Sequence, residues 1–338
     1  MRANIDDFLL SCENVDFGKN TLSKMEIAFY QQLNNEVILL CRSLPESAQA
    51  DAILFLMHYS GVKFGDELDF FANYYPPIWS IVYWLTSDSF HSGKQLQDKD
   101  VKNAVTAQSM AMFLHSLDDH LTDNQIFVSP LTLQLRTEAW NSMNRALLNL
   151  SNGIPAGEIT ISRFINDYYS SNQDSTGLES LDRYCDLFRR QMAILMIAPS
   201  LLSMKMTGIS DFTSDIETAF GCFGVAWRLL DDVRDIGEDV GTGVETSVCL
   251  CLPERIRAYW KGSLFKTRAT AEAAQKTALM HIFQHNIIDD IKKRIYAELE
   301  LAASIVEAHN MAGLGGEFRS LAYPFRASGS HLEEYHET

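Results

Sequence analysis

Proline and glycine are scarce in this chain, at 8 and 18 of 338 residues. A turn-rich β architecture uses more of both, so long helices are favoured. Basic charge is short as well, with 28 Lys and Arg against 44 Asp and Glu and a net charge of −16. No Lys/Arg run offers a face for a phosphate backbone, which argues against a nucleic-acid partner and disfavours an anionic lipid surface. The longest apolar windows, 78–85 and 192–202, are too short or too interrupted to span a bilayer. The first residues, Met-Arg-Ala-Asn-Ile-Asp-Asp, carry no charged-then-apolar signal. The expectation is a cytoplasmic protein without stable membrane insertion. Cys12, Cys41, Cys185, Cys222, Cys249 and Cys251 fit no zinc spacing. Buried free thiols in a reducing compartment are expected. A Gly-rich phosphate loop, Gly-x-Ser-x-Gly and His-Glu-x-x-His are all missing, which removes several enzyme classes.

What is present is apolar bulk at helical spacing. Hydrophobic residues make up 46%, with 12 Met, 19 Phe and 12 Tyr, enough for a sizeable core. The 3.6-residue period predicts helices over 22–41, 51–59, 67–85, 101–121, 131–150, 161–169, 178–206, 215–233, 253–259 and 271–309. Ser129 before Pro130 reads as a helix start, and Asn152-Gly153-Ile154-Pro155 as a break. Ser210-Asp211 precedes the next helix, and Gly241-Thr242-Gly243 closes the one after residue 215. Segment 248–252 could pass for an isolated strand. Residues 87–99 read as a loop, and 328–338 as a polar, frayed tail. The expectation is one all-α domain over 1–327, an antiparallel bundle of about ten helices around a central apolar cavity.

Two aspartate clusters break into those apolar stretches. One reads Asp118-Asp119-His120-Leu121-Thr122-Asp123, the other Asp231-Asp232-Val233-Arg234-Asp235 with Glu238 and Asp239 beyond. Like charges at i,i+4 on a helix repel by a few tenths of a kcal/mol, and burying them costs more. The chain holds its own controls. After Asp6-Asp7, the positions four residues on are Leu10 and Ser11; after Asp289-Asp290 they are Lys293 and Arg294. Those are patterns of solvated faces. Only the two middle pairs recruit another aspartate, Asp123 for Asp119 and Asp235 for Asp231. If the two helices face each other, their carboxylates form a hard oxygen site suited to magnesium and a shared phosphate ligand. The apolar remainder would line a cavity beneath, a site for a prenyl diphosphate.

The pattern resembles the class I isoprenoid synthases, which include trans-prenyltransferases and class I terpene synthases. Asp118-Asp119-His-Leu-Thr-Asp123 looks like their first Asp-rich motif with one extra residue. Trp227-Arg228-Leu-Leu-Asp231-Asp232-Val-Arg-Asp235 looks like the second, usually Phe-Gln-x-x-Asp-Asp-x-x-Asp. The resemblance implies three magnesium ions and ionisation of an allylic diphosphate. It implies Asp118, Asp119 and Asp231 as catalytic, with Asp118, Asp119, Asp123, Asp231, Asp232, Asp235 and Asp239 on metal. Departures restrict it. The early Gly-Lys-x-x-Arg of prenyltransferases is absent, since Lys63 is followed by Asp66. Arg-Arg-Gly after the first motif is absent too, and the next base is Arg136. The later Lys-Thr is replaced by Glu245-Thr246. The Asn-Ser-Glu metal triad of terpene synthases is missing as well.

One diphosphate, not two, fits this pattern. The expected function is a terpene synthase cyclising the carbocation; alternatives are a prenyltransferase and a non-catalytic helical subunit. Homodimerisation is left open. Substrate contacts are expected from Arg190, Arg228 and Arg234, with Arg228 and Arg234 alternatively neutralising the local acid. Phe113, Trp79 and Tyr83 are expected to line the cavity, with plain core packing as the competing reading. Arg319, Tyr323 and Arg326 are candidates for a lid over the diphosphate. His115 and His120 flank the first cluster, either as a base or as hydrogen-bonded structural groups.

Overall fold

The computed structural model describes residues 5–326 apart from 64, 67, 88–95, 174–177, 179, 209–210 and 262–266. Most of the 87–99 loop and the tail 328–338 therefore lie outside the described residues. Among them the chain forms sixteen α-helices and no strand. In order these are α1 (Ile5–Glu13), α2 (Lys24–Ser43), α3 (Glu46–Tyr59), α4 (Pro77–Thr86), α5 (Asp98–Thr122), α6 (Pro130–Ser151), α7 (Gly157–Gln173) and α8 (Leu181–Gln191). They continue as α9 (Ala193–Thr207), α10 (Asp211–Arg234), α11 (Ile236–Thr242), α12 (Ser247–Leu250), α13 (Glu254–Trp260), α14 (Arg268–Gln284), α15 (Ile287–Ala308) and α16 (Ala312–Ala322).

The all-α reading holds, and the count exceeds ten because two predicted segments split and four helices, α1, α11, α12 and α16, lie outside the predicted ones. The 178–206 segment breaks at Met192, which flattens to φ −77°, ψ −2°. The 271–309 segment breaks at Asn286, in the left-handed region at φ 53°, a conformation asparagine tolerates better than most residues. The 67–85 helix begins only at Pro77. Proline is accepted in the first turn but not inside a helix. Residues 248–252 are no strand; α12 makes one helical turn there. Ser129 caps α6 by accepting the Thr132 amide, with Pro130 next to it. The six thiols are free, all buried except the half-buried Cys251.

Helix α9 is the centre of the bundle. Every residue from Ala193 to Met204 is buried, and α9 packs on α5, α7 and α10. The Lys205 ammonium ties its end to Asp100 of α5 at 2.8 Å. Helix α10 also runs along α15, and α5 along α2 and α6. The two aspartate-bearing helices thus share one buried post. The segment before α2 straps over the ends of α10 and α16. There the Gly18 amide donates to the Leu321 carbonyl at 3.1 Å, and a Cβ at Gly18 would collide with the Ser320 carbonyl.

A buried carboxyl joins α16 to α4. Glu317 accepts from Ser80 Oγ at 2.5 Å and Trp84 Nε1 at 2.6 Å. Burial, with the Glu26 carboxylate nearby, pushes its carboxyl up to about 8. The folded state then keeps a proton that the unfolded chain loses above about 4.5, at roughly 1.4 kcal/mol per pH unit. Stability conferred at low pH is lost as pH rises from about 4.5 to about 8. Glu317→Gln should flatten that decline, gaining on the order of 2–4 kcal/mol over wild type by pH 8. Urea unfolding at pH 5, 6.5 and 8 measures it; parallel wild-type and variant curves would refute it.

Candidate active site

The aspartates stand at the C-terminal ends of helices, where the helix dipole disfavours anions. Asp118 and Asp119 occupy the last turn of α5, and Asp123 is its C-cap. Asp231 and Asp232 lie in the last turn of α10, and Asp235 caps the start of α11. The expected single helix through Asp239 is thus two, with a bend at Asp235 (φ −90°, ψ 9°). The four-residue ladder survives the bend. The Asp235 amide donates to the Asp231 carbonyl at 2.9 Å, and the Asp239 amide to the Asp235 carbonyl at 2.8 Å.

The seven acids divide into two groups. Asp118 is gripped by Arg136 of α6, with Nε at 2.5 Å from Oδ1 and Nη2 at 3.0 Å from Oδ2, the two-pronged geometry that suits guanidinium and carboxylate. Asp232 is fully buried and fully bonded. Its Oδ1 accepts from the Tyr184 hydroxyl at 3.0 Å and lies 2.9 Å from Arg228 Nε; its Oδ2 accepts from the Ser247 amide at 2.8 Å. Asp119, Asp123, Asp231, Asp235 and Asp239 form neither ion pair nor side-chain hydrogen bond among the described residues. Asp119, Asp123 and Asp235 are exposed, while Asp231 and Asp239 are half-buried.

Partial burial pushes the Asp231 and Asp239 carboxyls up to about 7. Burial also raises Asp119, Asp123 and Asp235. The Arg228 charge opposes that rise at all five. One guanidinium is therefore within electrostatic reach of both clusters. Among the described residues no three ligating side chains gather closely enough to cage a metal alone.

An aromatic wall lies beside the clusters. Trp227 meets Tyr74 at 5.7 Å, Tyr75 at 5.9 Å and Phe223 at 6.2 Å between ring centroids. Tyr74 anchors there by donating to the Met112 carbonyl at 2.8 Å. The expected lining residue Trp79 is elsewhere. It is 1% exposed and packs on Phe29 and Tyr30 of α2, so it is core. Tyr83 follows it onto Phe29. Phe113 is buried within α5.

No family model matches the chain, and no curated protein matches it by sequence. Solved structures do match by shape. A geranylgeranyl pyrophosphate synthase from Corynebacterium glutamicum superposes with a TM-score of 0.65 at 13% identity, over 94% of this chain and 96% of that one. A heptaprenyl diphosphate synthase from Staphylococcus aureus gives 0.59 at 12%, over 96% and 99%. A geranylgeranyl pyrophosphate synthase from the same Corynebacterium species, complexed with isoprenyl diphosphate and magnesium, gives 0.52 at 14%, over 89% and 99%. The chain has the class I isoprenoid synthase fold.

On this isoprenoid synthase fold the expected basic residues have separate places. Arg228 stacks on Phe188, its Cζ 4.6 Å from the ring centroid, and donates from Nε to the Tyr184 hydroxyl at 2.7 Å. Its terminal nitrogens have no partner among the described residues. Arg234 donates from Nε to the Val15 carbonyl at 2.8 Å, from Nη1 to the Tyr75 hydroxyl at 3.1 Å, and pairs with Asp16 through Nη2 at 2.7 Å. It clamps the segment before α2, so a phosphate would have to displace those bonds. Arg189 is committed to Asp186 and Glu298, whereas Arg190, half-buried, has no such partner among the described residues. Arg319 is fixed by Glu300 and Glu307, an ion-pair network rather than a free lid residue; Tyr323 and Arg326 are exposed. Sequence reasoning misses Tyr74, Trp227 as a wall residue, and Arg136 as the partner of Asp118. The Tyr74-Tyr75 pair is visible in the sequence, but nothing in its spacing tells which face meets α10.

No helix among the described residues is long and apolar enough to cross a membrane.

Proposed function

We propose that the protein ionises an allylic prenyl diphosphate and transfers the prenyl group to an acceptor. The five unpaired carboxylates around Arg228, on a fold shared with prenyl synthases, carry this reading. Asp119 and Asp123 of α5 and Asp231, Asp235 and Asp239 of α10 and α11 would hold magnesium, as the donor chemistry fits: hard carboxylate oxygens that form no ion pair among the described residues. Bound there, the metal supplies Lewis-acid charge to the departing diphosphate. Asp118 and Asp232 have positioning roles, bracing α5 on α6 and α10 on α8 and α12. The unpartnered Nη groups of Arg228, with Arg190, are the donors available to diphosphate oxygens. Trp227, Tyr74 and Phe223 offer π faces to an allylic cation. Arg136 is committed to Asp118, so it does not supply a site for a second diphosphate. The acceptor is therefore something other than isopentenyl diphosphate.

A second reading makes the acceptor a double bond of the same prenyl chain, which is terpene cyclisation. The aromatic wall beside a single anion site favours it. Incubation with C10, C15 and C20 diphosphates and magnesium, with and without isopentenyl diphosphate, separates these. Diphosphate release with hydrocarbons made from one substrate supports cyclisation. Longer prenyl diphosphates would restore chain elongation, and no diphosphate release from any substrate would remove the enzyme reading.

A further inference from the structure

His115 sits on α5 one turn before Asp119, half-buried against the aromatic wall. Its ring centroid lies 6.2 Å from Tyr74 and 6.4 Å from Trp227. Its Nδ1 is 3.2 Å from the Tyr74 hydroxyl. That hydroxyl has one proton, and the nearer Met112 carbonyl takes it at 2.8 Å. The Tyr74 oxygen is then an acceptor toward His115, so Nδ1 carries the ring proton. Nε2 is left with a bare lone pair. It has no hydrogen-bond partner among the described residues, and the ring stands beside Trp227. Burial pushes the imidazolium down to about 4, against the pull of the Asp118 charge. The ring is thus almost wholly neutral at neutral pH. His120, by contrast, lies edge-on to Tyr59 at 5.2 Å.

A carbocation is an extremely strong acid at the carbons next to its centre. Its quenching needs an unprotonated lone pair in the right place, not a strong base. We infer that His115 is the base that ends the reaction, accepting a proton at Nε2 from the prenyl carbocation. A C–H bond next to the cationic carbon breaks, its electron pair becomes a C=C bond, and the proton forms an imidazolium that later returns it to solvent. Tyr74 is the positioning residue that locks the tautomer. Both cyclisation and prenyl transfer to an alkene acceptor finish by such a loss, so the inference rests on cation formation and not on the acceptor.

Asparagine separates the two jobs of this side chain. The Nδ2 amide of His115→Asn can reproduce the bond to Tyr74, but nothing replaces Nε2. With C15 diphosphate and magnesium, the variant should lose proton-loss products by a much larger factor than it loses diphosphate release. Products formed by proton loss should fall on the order of 10²-fold, giving way to prenyl alcohols from water capture. Tyr74→Phe, which keeps the imidazole but frees its tautomer, should shift products the same way to a smaller degree. Unchanged proton-loss products in His115→Asn, or equal loss of diphosphate release and product in both variants, would overturn the role. No diphosphate release by wild type from C10, C15 or C20 substrates would instead bring down the proposed function, and this inference with it.

Discussion

Asp119→Asn and Asp231→Asn should each lower diphosphate release on the order of 10³-fold without unfolding the protein. The reason lies in how the acids are partnered. Both residues are among the five carboxylates without an ion pair, and desolvation by the surrounding protein already resists their ionisation. Removing one negative charge from such a group relieves repulsion, so each variant should be as stable as wild type or more stable by about 0.5 kcal/mol. A residue important only for structure would behave in the opposite way. Asp290→Asn is the control. Asp290 belongs to an Asp-Asp pair too, but Lys293 bridges it at 2.8 Å on an exposed face. It should leave both stability and activity within the small range of surface ion pairs. Asp118→Asn offers a second contrast, because it breaks the two-pronged contact to Arg136 and should cost stability as well as activity. Diphosphate release and thermal melts of the four variants check this. Full activity in either Asp119→Asn or Asp231→Asn would end the metal-site reading.

The sequence makes the acids legible because their spacing is local. A four-residue step on a helix is decided by the chain itself, so spacing alone pairs Asp119 with Asp123 and Asp231 with Asp235. The same local logic reads the caps at Ser129 and Pro130. It cannot tell that Asp118 and Asp232 are neutralised. Arg136 lies on another helix, and the Ser247 amide that bonds Asp232 is a backbone group with no sequence signature. Aromatic assignments fail for a similar reason. Trp79 and Tyr74 are near neighbours in sequence, yet α4 turns Trp79 into α2 while Tyr74 meets Trp227. Period shows that a residue is on an apolar face, not which partner covers that face. The break at Asn286 depends on a left-handed φ, which asparagine permits but does not require. Pro76-Pro77 is a clear stop signal within the 67–85 segment, and there periodicity misleads because apolar residues on both sides of the prolines keep the helical spacing.

Arg228→Met should be the most destabilising single change near the clusters, by about 3 kcal/mol. Arg228 differs from the glutamine expected at its place in the second motif, and the structure shows what the charge does. Its Nε lies 2.9 Å from Asp232, whose side chain is 1% exposed. Deleting the guanidinium leaves a buried carboxylate with only the Tyr184 hydroxyl and Ser247 amide as donors. Removing one partner of a buried pair is costly because the other charge remains desolvated. The cost sits at the low end of its range since the Arg228 side chain is 33% exposed and water can enter. The loss should be repaired in part by Asp232→Leu in the Arg228→Met background, as the stranded charge is then gone. Arg228→Gln tests the other half of the role. It keeps a donor toward Asp232 but removes the charge felt by Asp119, Asp123, Asp231, Asp235 and Asp239. The five acids then lose their one shared cation, so binding of a divalent ion without substrate should tighten while binding of diphosphate alone weakens. Calorimetric titration with magnesium and with inorganic diphosphate reads the two signs separately. Arg228→Met melting with wild type, or Arg228→Gln moving both affinities in one direction, would show that Arg228 is neither the partner of Asp232 nor the charge that couples the clusters.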